Sequence, residues 1–395
     1  MLLITVLLLQ AAVPTGDSLT LAGALARARK LRPVVSGAAA AVAEAHGAAR
    51  VAMTVPNPVV SYSWTGNTPR QHITVDQPLD WLLRRGADHA AGQAGIARAG
   101  IDSILTLAEL GREVRLAFYD ALAGDEALRL TADEASLADS LARAADARLK
   151  AGDISQLERD QVIQESQRAH YAVSLAREDQ RVAHGAFARA LGLDDAPLPE
   201  PDGALDDGLT APLPGVVRSD SLPLVQGALA DSAFAAALAR SASIGQLPLP
   251  SLQGGAEWND PANPSQGTTA ILGFAIPVPL WNHGGGLAAE SRAQAARVNA
   301  ALGETRLDAA RALGERRIRL EETARRARFD RDSLFPAARR LRERTVTAYR
   351  AGETGVLPVF DALRGEHDAA LALVRDLTAF QDALAEWNAL VGLME

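Results

Sequence analysis

Lys150-Ala151-Gly152-Asp153-Ile154-Ser155-Gln156-Leu157 and Arg350-Ala351-Gly352-Glu353-Thr354-Gly355-Val356-Leu357 stand about 200 residues apart and share one pattern. Each has a basic residue, Ala-Gly, an acid and, four positions on, a leucine. Other landmarks return in the same order and register. Phe187, Gly192 and Leu193 return as Trp387, Gly392 and Leu393, and Trp81 and Gly86 return as Trp281 and Gly286. Chance spacing of alanine-rich helices rarely does this, so the chain reads as two copies of one architecture. Each copy runs from a short helical segment through two strand-like segments to a very long helix, a glycine turn and a second long helix.

Composition fits that plan. Of 395 residues 48% are hydrophobic, mostly Ala and Leu, and only 4% are aromatic, a mixture suited to long helices packed through small side chains. The net charge of −8 argues against a nucleic-acid binder, whose footprint is basic. The absence of cysteine removes disulfides, thiolate metal sites, cysteine nucleophiles and lipid attachment through Cys. Leu2 to Leu9 followed by Gln10-Ala11-Ala12 reads as a signal peptide over residues 1–13, although no Lys or Arg precedes the apolar run. No other segment has the apolar length of a membrane helix, so a membrane position requires strands.

Leu19 to Arg32 reads as a helix capped by Asp17 or Ser18 and ended at Pro33, and Val34 to Met53 as a second helix. The first repeat covers 17–193 and includes a hairpin at 58–79 around Gly66-Asn67-Thr68-Pro69. The second covers 222–395, with a hairpin at 249–280 formed by Leu249 to Trp258 and Thr268 to Leu280. Isolated hairpins are marginally stable and their edges require partners. Arg84 to Leu149 contains nothing that decisively breaks a helix, since no proline occurs between Leu79 and Ala196; such a helix spans roughly 100 Å. Ser155 to Leu191 is its partner beyond the tip near 152. Gly286 to Tyr349 and Thr354 to Leu393 repeat the plan beyond the tip near 352, with Pro336 expected to kink the third long helix. Residues 194–221, rich in Pro, Asp and Gly, read as an irregular linker.

No catalytic constellation emerges. The arginines between Arg311 and Arg350 alternate with Glu315, Glu321, Glu322, Asp330 and Asp332, as on a solvated helix face. The seven histidines form no HxxxH pair, and Gly284-Gly285-Gly286 lacks the spacing of a phosphate loop. The two helix turns are the candidate site: Lys150, Gly152, Asp153 and Leu157 in the first, Arg350, Gly352, Glu353 and Leu357 in the second. Each is either a duplicated capped turn or a surface that docks a partner's helices.

At these tips and strands the chain resembles the TolC-type outer-membrane efflux proteins. The heavy-metal (cobalt-zinc-cadmium, CzcC-like) branch is suggested by Ile276-Pro277-Val278-Pro279-Leu280-Trp281-Asn282 with Gly284 to Gly286, and by Gln77-Pro78-Leu79 with Arg84-Arg85-Gly86. The resemblance implies a mainly α fold with a small β part. Tandem long helical hairpins form an α-barrel tunnel, and each chain gives four strands to a trimeric twelve-stranded transmembrane β-barrel. Strand segments of roughly ten residues match the ~9–11 that cross a bilayer tilted. It further implies a homotrimer in outer-membrane lipid, a periplasmic adaptor (membrane fusion) protein and an inner-membrane pump of the RND type. No cofactor, resident metal, nucleic acid or enzymatic step is implied.

In that family, acids near the second tip can line a periplasmic pore constriction. Asp361 holds the matching position, with Glu158 and Asp160 as first-repeat candidates, whereas Pro358 stands where many relatives carry another acid. A threefold carboxylate ring there would repel anions; an ordinary helix-surface carboxylate is the alternative. The functional expectation is a passive exit duct carrying metal cations or small molecules out of the periplasm. A non-conducting periplasmic or surface coiled-coil scaffold is the competing reading, and dependence on detergent separates the two.

Overall fold

The computed structural model describes residues 18–66, 70–193, 199–262, 265 and 267–394, with the backbone alone at Arg350. The expected signal segment, Asp17 as a cap, the tip of the first hairpin and the start of the linker lie outside the described residues. Among the described residues no helix is long and apolar enough to cross a membrane.

The chain divides into two compact units, each assembled from both halves of the sequence: residues 1–35, 107–216 and 313–395 in one, 36–106 and 217–312 in the other. Helix α1 (Leu21–Leu31) begins at Thr20, whose side chain accepts from the Gly23 N–H, and not at Ser18. Ser18 is occupied elsewhere. β1 (Ser18–Leu19) pairs in parallel with β4 (Glu200–Pro201), inside the linker that the sequence leaves irregular. Pro33 does not merely end α1; it opens α2 (Pro33–Met53), a first-turn position where its missing N–H costs nothing.

Helix α3 (Asp80–Ala151) runs 72 residues, from Asp80 in its first turn to Arg148 and Lys150 in its last, each charge favourable to the helix dipole. It begins at Asp80, ahead of Arg84. α4 (Gln156–Leu191) follows it. α3 packs closely against α4 at Gly124, where a Cβ would come within 3.2 Å of the Gln180 Cα. In this unit Leu25, Leu110, Val114, Phe118, Phe187 and Leu191 form a core, with Phe118 edge-on to both Tyr119 and Phe187. The linker is anchored on the same unit. Arg328 donates to the Leu209 carbonyl, Arg317 to that of Pro214, and Gln381 to those of Leu205 and Asp207.

In the second half, α6 (Gly285–Phe329) passes through a π turn at Asp330–Leu334 into α7 (Phe335–Arg350), and α8 (Val356–Val391) follows the tip. The perturbation expected at Pro336 takes the form of this π turn. The proline ring would press on the carbonyl four residues back, and one extra residue in the turn relieves it.

The other unit carries a four-stranded antiparallel sheet ordered β2 (Val59–Trp64), β3 (Gln71–Pro78), β5 (Ser251–Trp258) and β6 (Thr269–Ala275). The two hairpins join through β3 and β5, while β2 and β6 keep an open edge each. β6 stops at Ala275 instead of reaching Leu280, because Pro277 and Pro279 have no N–H to give a ladder. The repeat is therefore imperfect here: Trp81 lies in the first turn of α3, whereas its counterpart Trp281 lies in a loop with 92% of its surface exposed. α5 (Pro223–Ile244) completes the unit, tied to α3 by Arg98 with Asp231 at 3.4 Å and by Ser241 with Asp88 at 2.9 Å.

Candidate functional site

Both tips close in the same way. Gly152 and Gly352 take left-handed backbone at φ 81° and 76°, a conformation that favours glycine. Asp153 N–H donates to the Arg148 carbonyl and Gly152 N–H to that of Leu149; Glu353 and Gly352 repeat this onto Ala348 and Tyr349. These paired bonds satisfy carbonyls that a helix end leaves free.

The helices leaving the tips start differently. Ser155 caps α4 and exchanges bonds with Glu158, whose carboxylate accepts from the Ser155 N–H at 3.0 Å while its own N–H donates to Ser155 Oγ at 3.2 Å. At the equivalent places α8 has Gly355 and Pro358. Pro358 sits in the first turn, where no intrahelical donor is required. Glu158 is thus engaged as a capping residue. Asp160 accepts from Gln156 Nε2 and Arg159 Nη1 at 3.0 and 3.1 Å. Asp361 is the least engaged of the three: its side chain is 79% exposed and 3.9 Å from Arg364. That guanidinium is already committed to Glu165 through contacts of 2.6 and 3.0 Å, and it holds the Glu165 carboxyl below the usual range.

The structure brings the two tips together. Val162 from α4 and Val356, Val359, Phe360 and Leu363 from α8 share a core with Ala142 and Ala145 of α3, flanked by Val346 and Tyr349 of α7. Arg148 lies over the Tyr349 ring, 5.2 Å from its centroid, and donates to its hydroxyl at 2.7 Å. Sequence reading passes over this contact, because neither residue recurs at the equivalent position of the other repeat. Leu157 and Leu357 stay outside the core, exposed at 68% and 56%. Lys150, Asp153 and Glu353 lie in or beside the turns; of Arg350 only the backbone is described. Among the described residues no three His, Asp or Glu side chains gather as a metal site.

The sheet is two-faced. The register aligns Tyr62 with Ile73, Ala256 and Ala270, and Val60 with Val75, Gly254 and Leu272, so one face is apolar. At its end Tyr62 and Trp258 place their rings 6.4 Å apart. The other face aligns Ser63, His72, Glu257 and Thr269, then Ser61, Thr74, Gly255 and Ile271, then Asp76 with Gln253. Asp76 accepts from Ser251 Oγ at 3.0 Å and Gln253 Nε2 at 2.7 Å.

The chain thus combines an antiparallel sheet that has one apolar face, one polar face and two open edges with paired long helices, the class of fold built from strands and helical hairpins. The fold is the one seen in solved TolC-type outer-membrane channel proteins. CusC, a protein that forms a transmembrane channel, superposes with a TM-score of 0.76 over 94% of this chain and 92% of its own, at 15% identity. The outer membrane protein VceC of Vibrio cholerae gives 0.74 over 95% and 97%, also at 15% identity. In sequence, the cobalt-zinc-cadmium resistance protein CzcC of Cupriavidus metallidurans is 24% identical over 352 residues, or 88% of this chain and 83% of CzcC. No family model matches the chain.

Proposed function

We propose that the chain is the outer-membrane exit duct of a tripartite efflux system, a passive channel without reaction chemistry of its own. The observation that carries this reading is the two-faced sheet with open edges at β2 and β6. In lipid every backbone polar group must be paired, so such a sheet is viable only when closed. Closure by two further copies joins β6 of one chain to β2 of the next and turns the Val60, Tyr62 and Leu272 face toward lipid. The barrel lies in the outer membrane and the helical hairpins extend into the periplasm.

The tips at Gly152 and Gly352 dock a periplasmic adaptor, with exposed Leu157 and Leu357 as its apolar contacts, and an RND-type inner-membrane pump supplies the cargo. Asp361 lines the constriction; Glu158 and Asp160 flank it. Resemblance to CzcC favours metal cations as cargo, alongside small molecules. In domain terms the reading is a signal peptide over 1–13, repeats over 17–193 and 222–395, and a linker over 194–221.

Detergent extraction of the outer-membrane fraction, heat-modifiable gel migration and mass in detergent test the duct. The expected product is a detergent-dependent trimer that conducts in a planar bilayer; a detergent-independent monomer or dimer overturns the reading in favour of a coiled-coil scaffold. For the tips, the Leu157→Asp/Leu357→Asp double variant is expected to leave the trimer intact and abolish adaptor pull-down. Undiminished pull-down would sink that assignment.

A further inference from the structure

The four strands contain no Lys or Arg, and their three ionisable side chains other than tyrosine, His72, Asp76 and Glu257, all fall on the polar face. From these positions we infer that the strand section is a charge filter of its own, separate from the tips: Asp76 and Glu257 make the barrel select cations. The inference rests on the duct reading, which turns this face toward the lumen.

The two carboxylates are placed differently. Glu257 is paired in register with His72, its Oε1 3.8 Å from the His72 Nδ1. Asp76 lies four residues along β3, roughly 13 Å at ~3.3 Å per residue, so three copies form two separate acidic rings. Asp76 is held by the neutral donors of Ser251 and Gln253, which fix its direction without cancelling its charge. The neighbours of the His72–Glu257 row on the outer strands, Ser63 and Thr269, are uncharged. Arg70 and Asp260 lie beyond the ends of the ladder. Glu257 is therefore the acid that His72 faces most closely.

Fixed charge on a wide pore acts over the screening length, about 30 Å in 0.01 M salt and about 3 Å in 1 M. The barrel filter accordingly discriminates strongly in dilute salt and weakly in concentrated salt.

The test is the reversal potential of the purified trimer in planar bilayers under a tenfold KCl gradient, with gel migration confirming that each variant trimer is folded. The wild type is expected to reverse on the cation-selective side. Asp76→Asn with Glu257→Gln is expected to remove at least half of that potential, while Asp361→Asn leaves most of it. A potential unaffected by the double substitution and abolished by Asp361→Asn would overturn the inference and put selectivity at the tips. A folded trimer that conducts no ions would sink the duct reading and the filter with it.

Discussion

Asp382 of α8 holds its Oδ1 buried and without a hydrogen-bond partner. Burial, reinforced by Asp120 and Glu386 and opposed by Arg112, pushes its carboxyl up to about 6. The folded chain then binds a proton at this site more tightly than the unfolded one, so stability falls as pH rises from the ordinary 3.8 toward 6. Asp382→Asn is expected to raise the melting temperature at pH 7.5 and to give no gain at pH 4.5, where the native carboxyl is already neutral. Phe118, fully enclosed against Phe187 and Tyr119, shows the opposite sensitivity. Phe118→Ala is expected to destabilise by about 3–5 kcal/mol, measured by denaturant unfolding. At this scale legibility was uneven. The glycines of both tips declare themselves because a helix end needs left-handed backbone. The Thr20 cap did not, because it depends on Ser18 being drawn into a strand with a segment far along the chain. Glu158 carries an acidic side chain whether it caps a helix or lines a pore, and its exchange of bonds with Ser155 is visible only in the folded geometry.

Among the elements, α3 is bound to its neighbours through three histidine–carboxylate contacts: Asp125 with His184, Asp139 with His170 and Glu134 with His367, at 2.9, 3.0 and 3.1 Å. The hydrogen bond to Asp125 chiefly raises the pKa of His184, and the bond from His184 helps hold Asp125 low against burial. The His184 contribution is therefore full below the unfolded value of about 6.5 and disappears as pH rises through the elevated folded value. The Asp125 contribution is present above about 4 and is lost as pH falls through its lowered folded value. His184→Gln is expected to lower the melting temperature markedly at pH 5.5 and little at pH 9. The π turn is also testable. Deleting Ser333 removes the extra residue and rotates everything beyond it by about 100°. Val346 and Tyr349 should then leave the tip core and the folded trimer should be lost, visible as absence of heat-modifiable migration. The order of long helices was legible from uninterrupted periodicity, and Pro336 marked the disturbance. Its form was not legible, because a kink and an inserted residue relieve the same clash.

For the whole molecule, the alternation of polarity on the strands was readable residue by residue, but the pairing of β3 with β5 was not. They lie in different repeats, and nothing local encodes which edges of two hairpins meet. Once the register is known, the faces make opposite predictions. Leu272→Arg on the apolar face is expected to weaken the inserted protein by about 2–4 kcal/mol, whereas Ser61→Arg on the polar face should insert normally. Unfolding in lipid vesicles compares them. The division into two compact units drawn from both halves could not be read from the repeat, since duplication describes descent along the chain and compactness describes which segments finally touch.

The open edges of β2 and β6 also bear on what stability means for this molecule. In the proposed trimer, a ladder that ends unpaired on both sides reaches its minimum only by consuming other copies, so its melting point is a property of a solution and not of a chain. Dilution should melt the sheet at constant temperature. A newly made copy stays exposed to unintended edge pairing until two others arrive, which makes the rate of encounter, and not the depth of the core, the step on which correct assembly depends.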